Sequence, residues 1–282
     1  MRTALQKLTR REIALIIVLT IVCISVLVVA YLFLPIGDDY HSTFHPAPLA
    51  VLRGESPYNG YGFFYPPWTI LPLLPISLLP EKIGNEIFFF SCLLTFVLLL
   101  HKYKVNLATT IIFLVSPPVL VELWSSNINW LVLLGYLMPP QIGLFFVLMK
   151  PQVGGAMALF WFVEAWHKGG FRQVIKTFLP VSIITIITLF IFPGWFQSAT
   201  NTIGFSANIS FWPLSIPIGL VLVALMLKHR DERFAYMASP FLSPYFTINS
   251  LSTVILGLVS SPWLTTSAVV GMWIAIFIGI AV

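Results

Sequence analysis

Long apolar runs, separated by short polar or proline-containing breaks, dominate this chain. Residues 13–36 form the first run, which is long enough to cross a membrane as a helix. Further apolar runs that predict membrane helices lie at 83–100, 107–123, 153–166, 177–192, 214–227, 234–259 and 263–282. Because the runs are continuous rather than alternating, the pattern excludes a β-barrel and predicts an all-α fold.

Some stretches are too short or too interrupted to be regular spans. Prolines punctuate residues 66–80, which are predicted to be re-entrant or interfacial. Residues 127–138 and 141–149 flank Pro139 and Pro140, and they form either a re-entrant hairpin or two short spans. Residues 234–259 are predicted to be two half-helices that meet near Tyr245. The fold class is therefore all-α: a polytopic transmembrane helix bundle of about 8–10 membrane segments, some broken or re-entrant, in one integral membrane domain over residues 1–282.

Composition agrees with a membrane protein. Hydrophobic residues make up 58% of the 282 residues and charged residues only 9%, against about 25% charged residues in soluble domains. Cys23 and Cys92 both lie inside apolar runs and are interpreted as core residues rather than a disulfide or a metal pair. The net charge of +5 comes from basic residues at helix ends, which indicates membrane topology and no nucleic-acid partner.

The placement of basic residues predicts the orientation. When the predicted spans alternate in direction, all fifteen Lys and Arg residues except Arg53, Lys82 and Lys150 fall on the side of the N-terminus. The positive-inside rule makes that side the cytoplasm. The run at 13–36 is too long for a cleaved signal peptide and is predicted to be a signal anchor in the cell membrane. Residues 37–80 then form an extracytoplasmic loop, which we predict to carry the active site.

Two adjacent carboxylates, Asp38 and Asp39, follow the first run directly. Charge at the mouth of a membrane helix is energetically expensive unless it serves a function. Either aspartate could act as a general base or a metal ligand, and the alternative is a solvated helix end. His41 and His45 follow as candidate proton carriers or ligands, or as solvated or structural histidines. Paired carboxylates with histidine are compatible with a divalent metal, but the sequence requires no cofactor.

The other candidates for substrate binding are polar or aromatic residues on the same predicted side. Arg53 is either a phosphate-binding residue or an anchor that snorkels to the headgroups. Lys150 is an isolated cation between apolar segments, which predicts an anionic partner (a phosphate or the aspartate pair), with snorkelling as the alternative. Tyr58 and Tyr65 either stack on a sugar or belong to the interfacial aromatic belt. Polar breaks on this side add Asn127, Gln152 and Tyr245.

A series of short motifs, in this order, resembles a known family. An acidic residue after the first span precedes a Gly-x-x-Pro-Tyr turn and a Tyr-Pro-Pro segment, and polar or proline-containing breaks follow between later helices. The motifs lie at 38–39, 54–58, 65–67, 127–129, 150–152, 239–240 and 243–245. Together they cover most of the chain and resemble polyprenol-phosphate-dependent glycosyltransferases of the C-type membrane fold, in particular the family-87-like mannosyltransferases.

The resemblance implies an enzyme that transfers a sugar, a mannose-like hexose, from a polyprenyl-phosphate carrier to a lipid or glycan acceptor on the extracytoplasmic side. The family's essential acidic residue corresponds to Asp38 or Asp39, which would deprotonate the acceptor, while Lys150 and Arg53 would stabilise the leaving phosphate. Two alternatives remain open. Discontinuous helices with charges at their breaks also occur in transporters, such as a flippase for lipid-linked sugars, and a non-catalytic membrane subunit is the other alternative.

Overall fold

A computed structural model describes residues 25, 28, 31–204 and 206–279, and the regular structure in these ranges is helical throughout. Most of the predicted first span at 13–36 lies outside them, although residues 25, 28 and 31–33 are helical. The α-helices are numbered here in chain order: α1 Pro46–Leu52, α2 Ile70–Ser77, α3 Glu81–Lys102, α4 Leu107–Leu114, α5 Pro117–Ser125, α6 Asn129–Gly135, α7 Pro140–Val147, α8 Pro151–Ile191, α9 Trp195–Thr200, α10 Ile216–His229, α11 Glu232–Phe241, α12 Ser252–Leu258 and α13 Pro262–Phe277. Single turns of other helix types lie at Tyr40–Phe44, Pro67–Thr69, Asn201–Gly204 and Ile248–Leu251.

Among the described residues, two helices, α3 and α8, are long and apolar enough to cross a membrane, and α4 with α5 adds a third if the bent pair is one span. Helix α3 matches the predicted span at 83–100 and extends it slightly at both ends. The predicted pair of half-helices at 234–259 corresponds to α11 and α12, which the irregular segment around Tyr245 separates. These helices indicate association with a membrane, and the larger number of segments remains a prediction.

Helix α8 is a hairpin of two helical arms rather than one straight rod. Its backbone leaves helical geometry at Gly169 and Gly170, and Gly170 has a φ of 57°, a conformation that glycine adopts readily. Beyond the break, Phe178 meets Phe162 edge to face, with ring centroids 5.9 Å apart. In a straight helix their Cα atoms would be about 24 Å apart, because each residue adds about 1.5 Å. The two arms therefore fold back on one another, in agreement with the separate segments predicted at 153–166 and 177–192.

The single span predicted at 107–123 is instead broken into α4 and α5, which differ in direction by 58°. Pro117 and Pro118 begin α5, and a proline disfavours helical geometry in the residue before it. Ser116 is accordingly extended, with a ψ of 143°. Helix α5 ends at Ser125, and the next residue, Ser126, adopts the left-handed conformation with a φ of 52°. The chain turns there toward α6, and this turn carries Asn127.

The short helices α6 and α7 pack against the first arm of α8. Glycines make the close approach feasible, since a Cβ on Gly143 would lie 2.5 Å from the Trp161 ring and 2.6 Å from the carbonyl oxygen of Gly135. Helices of seven and eight residues are only about 10–12 Å long, against roughly 30 Å of hydrocarbon in a bilayer. The segments predicted at 127–138 and 141–149 are therefore a pair of short, buried helices on either side of Pro139.

The loop at 37–80 is folded onto α3. Tyr40 and Phe44, in the π-helical turn, are buried and place their rings 4.8 Å and 5.7 Å from that of Phe88. The segment predicted to be re-entrant or interfacial, 66–80, contains α2, which packs on α1. Ser77 at the end of α2 donates a hydrogen bond to the carbonyl oxygen of Phe44 at 3.0 Å. These contacts fix the residues around Asp39 relative to the helices.

Candidate functional site

Asp39 reaches the interior because the chain at Gly37 packs tightly against the end of α5. A Cβ on Gly37 would lie 2.5 Å from the carbonyl carbon of Ser125. The Gly37 amide donates a hydrogen bond to Oδ1 of Asn85 on α3 at 3.0 Å, which holds the chain in this position. Asp39 then lies beside the turn after α5, where Asn127 Nδ2 donates a hydrogen bond to Asp39 Oδ2 at 2.7 Å.

Lys150 lies on the other side of Asn127. It sits in the break between α7 and α8 and is only 3% exposed. Its ammonium donates hydrogen bonds to Oδ1 of Asn127 at 3.1 Å and to Oδ1 of Asn129 at 2.7 Å. A buried ammonium is costly unless it is hydrogen-bonded and balanced by negative charge. Its direct partners are amide oxygens, and Asp39 lies one side chain further on.

Glu122, fully buried on α5, completes the cluster at its other end. Asn129 Nδ2 donates a hydrogen bond to Glu122 Oε2 at 3.2 Å and another to the carbonyl oxygen of Asn249 at 3.2 Å. Ser252 Oγ donates to the same carboxylate oxygen at 2.9 Å. The connected side chains, called the polar network below, run in the order Asp39, Asn127, Lys150, Asn129 and Glu122.

Two tyrosines interact electrostatically with the outer end of the network. Burial, and then the negative charge of Asp39, raise the pKa of Tyr245 to about 12. Burial raises the pKa of Tyr65 as well, with a further contribution from Asp39. Both phenols therefore stay protonated at neutral pH and remain able to donate hydrogen bonds. Tyr58 donates from its hydroxyl to the carbonyl oxygen of Tyr65 at 2.9 Å, which ties this predicted aromatic residue to the site.

Other predicted site residues lie away from the polar network. Asp38 is exposed. His41 is also exposed, and its Nδ1 lies 2.6 Å from Oε1 of Glu81. Arg53 pairs with Glu55 in its own loop through two contacts of 2.9 and 3.1 Å. Exposed ion pairs of this kind contribute little to stability. They nevertheless direct the side chains of His41 and Arg53 to partners at the surface and not to the polar network.

Two further candidates lie outside the network as well. His45 packs its ring 5.7 Å from that of Tyr40, and Gln152 is partly buried in the first turn of α8. Within residues 31–204 and 206–279, neither makes a hydrogen bond to a side chain of the polar network. The structure thus brings together Asp39, Asn127, Lys150, Tyr65 and Tyr245 from the predicted set, with Tyr58 one contact away.

Three residues of the cluster were not predicted as site residues from the sequence. Glu122 gave a signal, since it is an acid inside an apolar run, but its position near a helix end also fitted a solvated side chain. Asn129 belonged to a motif without a predicted role. Ser252 gave no signal, because a serine in an apolar helix is common and only the tertiary fold brings it to Glu122.

In the described part of the chain, no three His, Cys, Asp or Glu side chains are grouped so that they could hold a metal ion. The compatibility of the aspartate pair with a divalent metal stays a prediction.

Comparisons with protein-family models, with curated proteins and with solved structures gave no match.

Proposed function

We propose that this protein is a membrane glycosyltransferase that moves a sugar, a mannose-like hexose, from a polyprenyl-phosphate carrier to a lipid or glycan acceptor. The observation that carries the proposal is the contact of Asp39 with Asn127, which is bonded in turn to the buried ammonium of Lys150. The Asn127 side-chain amide thus lies between a carboxylate that can accept a proton, Asp39, and the positive charge of Lys150. Glycosyl transfer from a lipid phosphate requires both functions at one place.

In the proposed reaction, Asp39 takes the proton of an acceptor hydroxyl. The hydroxyl oxygen attacks the anomeric carbon, the bond from that carbon to the phosphate oxygen breaks, and its electron pair leaves with the lipid phosphate. The configuration at the anomeric carbon is inverted. The proton ends on Asp39 and the new negative charge ends on the phosphate. Lys150 stabilises that charge from a buried position, where water screens it weakly.

The structure supports Asp39 over Asp38 as the base. Asp39 is turned toward Asn127, whereas Asp38 is exposed. Arg53 is paired with Glu55 at the surface, so Lys150 alone is proposed to stabilise the leaving phosphate.

The proposed setting is the cell membrane, with the N-terminus in the cytoplasm and Asp39 on the extracytoplasmic face. The basic turn of the α8 hairpin at 167–176 and the basic segment at 228–233 support this orientation, because positive charge is retained on the cytoplasmic side. The remaining apolar helices would complete a bundle of about 8–10 membrane segments, and the carrier's tail would enter between helices from the bilayer.

The test is sugar transfer by the purified protein in lipid vesicles, from a panel of labelled polyprenyl-phosphate sugars to extracted membrane lipids. Loss of a general base costs about 10²–10⁴-fold, so Asp39→Asn should lower transfer by that factor. Asp38→Asn, which changes the exposed neighbour, is the matched control and should stay within about threefold of wild type. Wild-type turnover in Asp39→Asn, with loss only in Asp38→Asn, would move the base to Asp38; turnover in both would remove these aspartates from the chemistry.

A second candidate function is transport of a lipid-linked sugar. The observation that favours it is the position of two buried charges, Glu122 in the last turn of α5 and Lys150 in the break between α7 and α8. Transbilayer movement of a fluorescent polyprenyl-phosphate sugar in the same vesicles, without transfer to any acceptor, would favour this candidate. Binding of the donor with neither movement nor transfer would favour a non-catalytic subunit.

A further inference from the structure

Glu122 is a fully buried carboxylate for which the proposed reaction has no direct use. Three helices aim donors at it: Cys92 Sγ of α3 lies 3.5 Å from Oε1, while Ser252 of α12 and Asn129 of α6 donate to Oε2. A carboxylate is costly to bury, and so much hydrogen bonding from separate helices holds it in one position. Its link to the rest of the polar network runs through Asn129.

The two asparagines of the polar network are oriented in the same sense. Each points its oxygen at the Lys150 ammonium and its NH₂ group at a carboxylate, which is Asp39 for Asn127 and Glu122 for Asn129. An ammonium only donates and an ionised carboxylate only accepts, so each carboxylate favours this orientation of its asparagine, and for Asn129 the carbonyl oxygen of Asn249 favours it as well. The ammonium therefore lies between two amide oxygens, and the acceptors of the two NH₂ groups determine where these oxygens point.

The charges show why the second carboxylate matters. With Glu122 ionised, Lys150 has a buried counter-charge on the side away from Asp39. Without it, Asp39 would be the one carboxylate of the polar network left to balance the ammonium, and their attraction would favour a direct ion pair. Such an ion pair would engage the carboxylate of Asp39, so that it could not act as a base, and would also move the Lys150 ammonium.

We infer that Glu122 is a positioning residue that fixes the Lys150 ammonium through Asn129 and leaves Asp39 free to act as a base. This inference rests on the proposed function for its kinetic consequence only. Glutamine at position 122 can donate as well as accept, so it removes the counter-charge and leaves the carbonyl oxygen of Asn249 as the one group that must accept from the Asn129 NH₂ group. The amide of Asn129, and with it the ammonium, is then held less firmly. A displacement of about 1 Å in a catalytic group can cost about 100-fold in rate.

The experiment compares Glu122→Gln, Lys150→Met and the double variant in two readouts, kcat for sugar transfer and the Kd for polyprenyl phosphate. The lipid phosphate carries the charge that leaves in the reaction, and its binding needs no turnover. Glu122→Gln should lower kcat by about 10–100-fold, with KM for the donor within about threefold, and weaken polyprenyl phosphate binding about tenfold. In the Lys150→Met background, Glu122→Gln should change neither quantity by more than about twofold, because groups that act as one unit are not additive.

Glu164→Gln is the matched control, since Glu164 is a partly buried acid of α8 that pairs with Arg230. It should leave both readouts unchanged. Losses that multiply in the double variant would show that Glu122 acts independently of Lys150 and would overturn the inference, as would an unchanged Glu122→Gln variant. If no donor supports transfer by wild type, the proposed function fails, while the binding comparison still decides whether Glu122 acts through Lys150.

Discussion

Gly37 sets the distance between the Asp39 segment and the end of α5, and one added methyl group tests that contact. The Cβ of an alanine would lie 2.5 Å from the carbonyl carbon of Ser125, 2.6 Å from its oxygen and 2.8 Å from the Cβ of Ser126. These atoms belong to the backbone or are attached directly to it, so none can rotate away. Ordinary contact begins at 3.4 Å, so the two segments must separate by roughly 1 Å.

The separation has two consequences for free energy. The bond from Asn127 to Asp39 measures 2.7 Å, and an added 1 Å or so takes it beyond hydrogen-bonding distance. Overpacking costs about 1–3 kcal/mol, and a lost hydrogen bond costs about 0.5–1.5 kcal/mol. We therefore expect Gly37→Ala to lower the free energy of unfolding by about 2–4 kcal/mol. Under the proposed function, it should also lower transfer at least about tenfold, because the base is no longer held in place.

The assay is denaturant unfolding in mixed micelles, followed by tryptophan fluorescence, beside the transfer assay. Gly271→Ala on α13 is the matched control, because a Cβ there meets nothing within 4 Å. In a helix interior that change should stabilise the protein by up to about 1 kcal/mol. A Gly37→Ala variant that unfolds at the wild-type midpoint would refute the claim that this contact positions Asp39.

Three other predictions concern the buried cation, the helix packing and the topology. Lys150→Met should destabilise the protein by about 3–5 kcal/mol in the same unfolding assay, because it leaves the buried carboxylate of Glu122 uncompensated. Lys168→Met at the exposed hairpin turn should be neutral, and equal midpoints for the two variants would contradict this prediction. Gly143→Ala should cost about 1–3 kcal/mol by overpacking, with Gly271→Ala again as control. Cysteines placed at Asn59 and Lys168, in a cysteine-free background, should react with an impermeant maleimide from opposite faces of sealed cells, and labelling from one face would reject the proposed orientation.

Much of the helical architecture could be predicted because apolar runs and prolines act locally. The two arms of α8 were predicted from two apolar runs with basic residues between them. The break between α4 and α5 was missed, although Pro117 and Pro118 were visible, because an apolar run of spanning length was read as one helix. Run length measures how much chain can lie in a membrane, whereas the proline decides whether it does so as a single rod.

Part of the candidate site could be predicted because polar residues are scarce in this chain. In so apolar a chain, Asp39, Asn127 and Lys150 have few polar partners, and burying them apart would leave each unsatisfied. Arg53 and His41 were equally visible in the sequence, but in the structure Arg53 pairs with Glu55 and His41 contacts Glu81 at the surface. The sequence alone does not show which of several possible partners a charged side chain takes. Ser252 lies 130 residues from Glu122 along the chain, so only the packing of α12 on the rest reveals that contact.

The reversal at Gly169 and Gly170 also bears on how the chain is made. Under the proposed orientation, the two apolar arms and the tight basic turn between them would insert as one hairpin, because each arm satisfies its own backbone hydrogen bonds and the positive charge stays on the cytoplasmic side. Neither arm would then have to cross the membrane separately. The inserted hairpin would give the short helices α6 and α7 a surface on which to assemble.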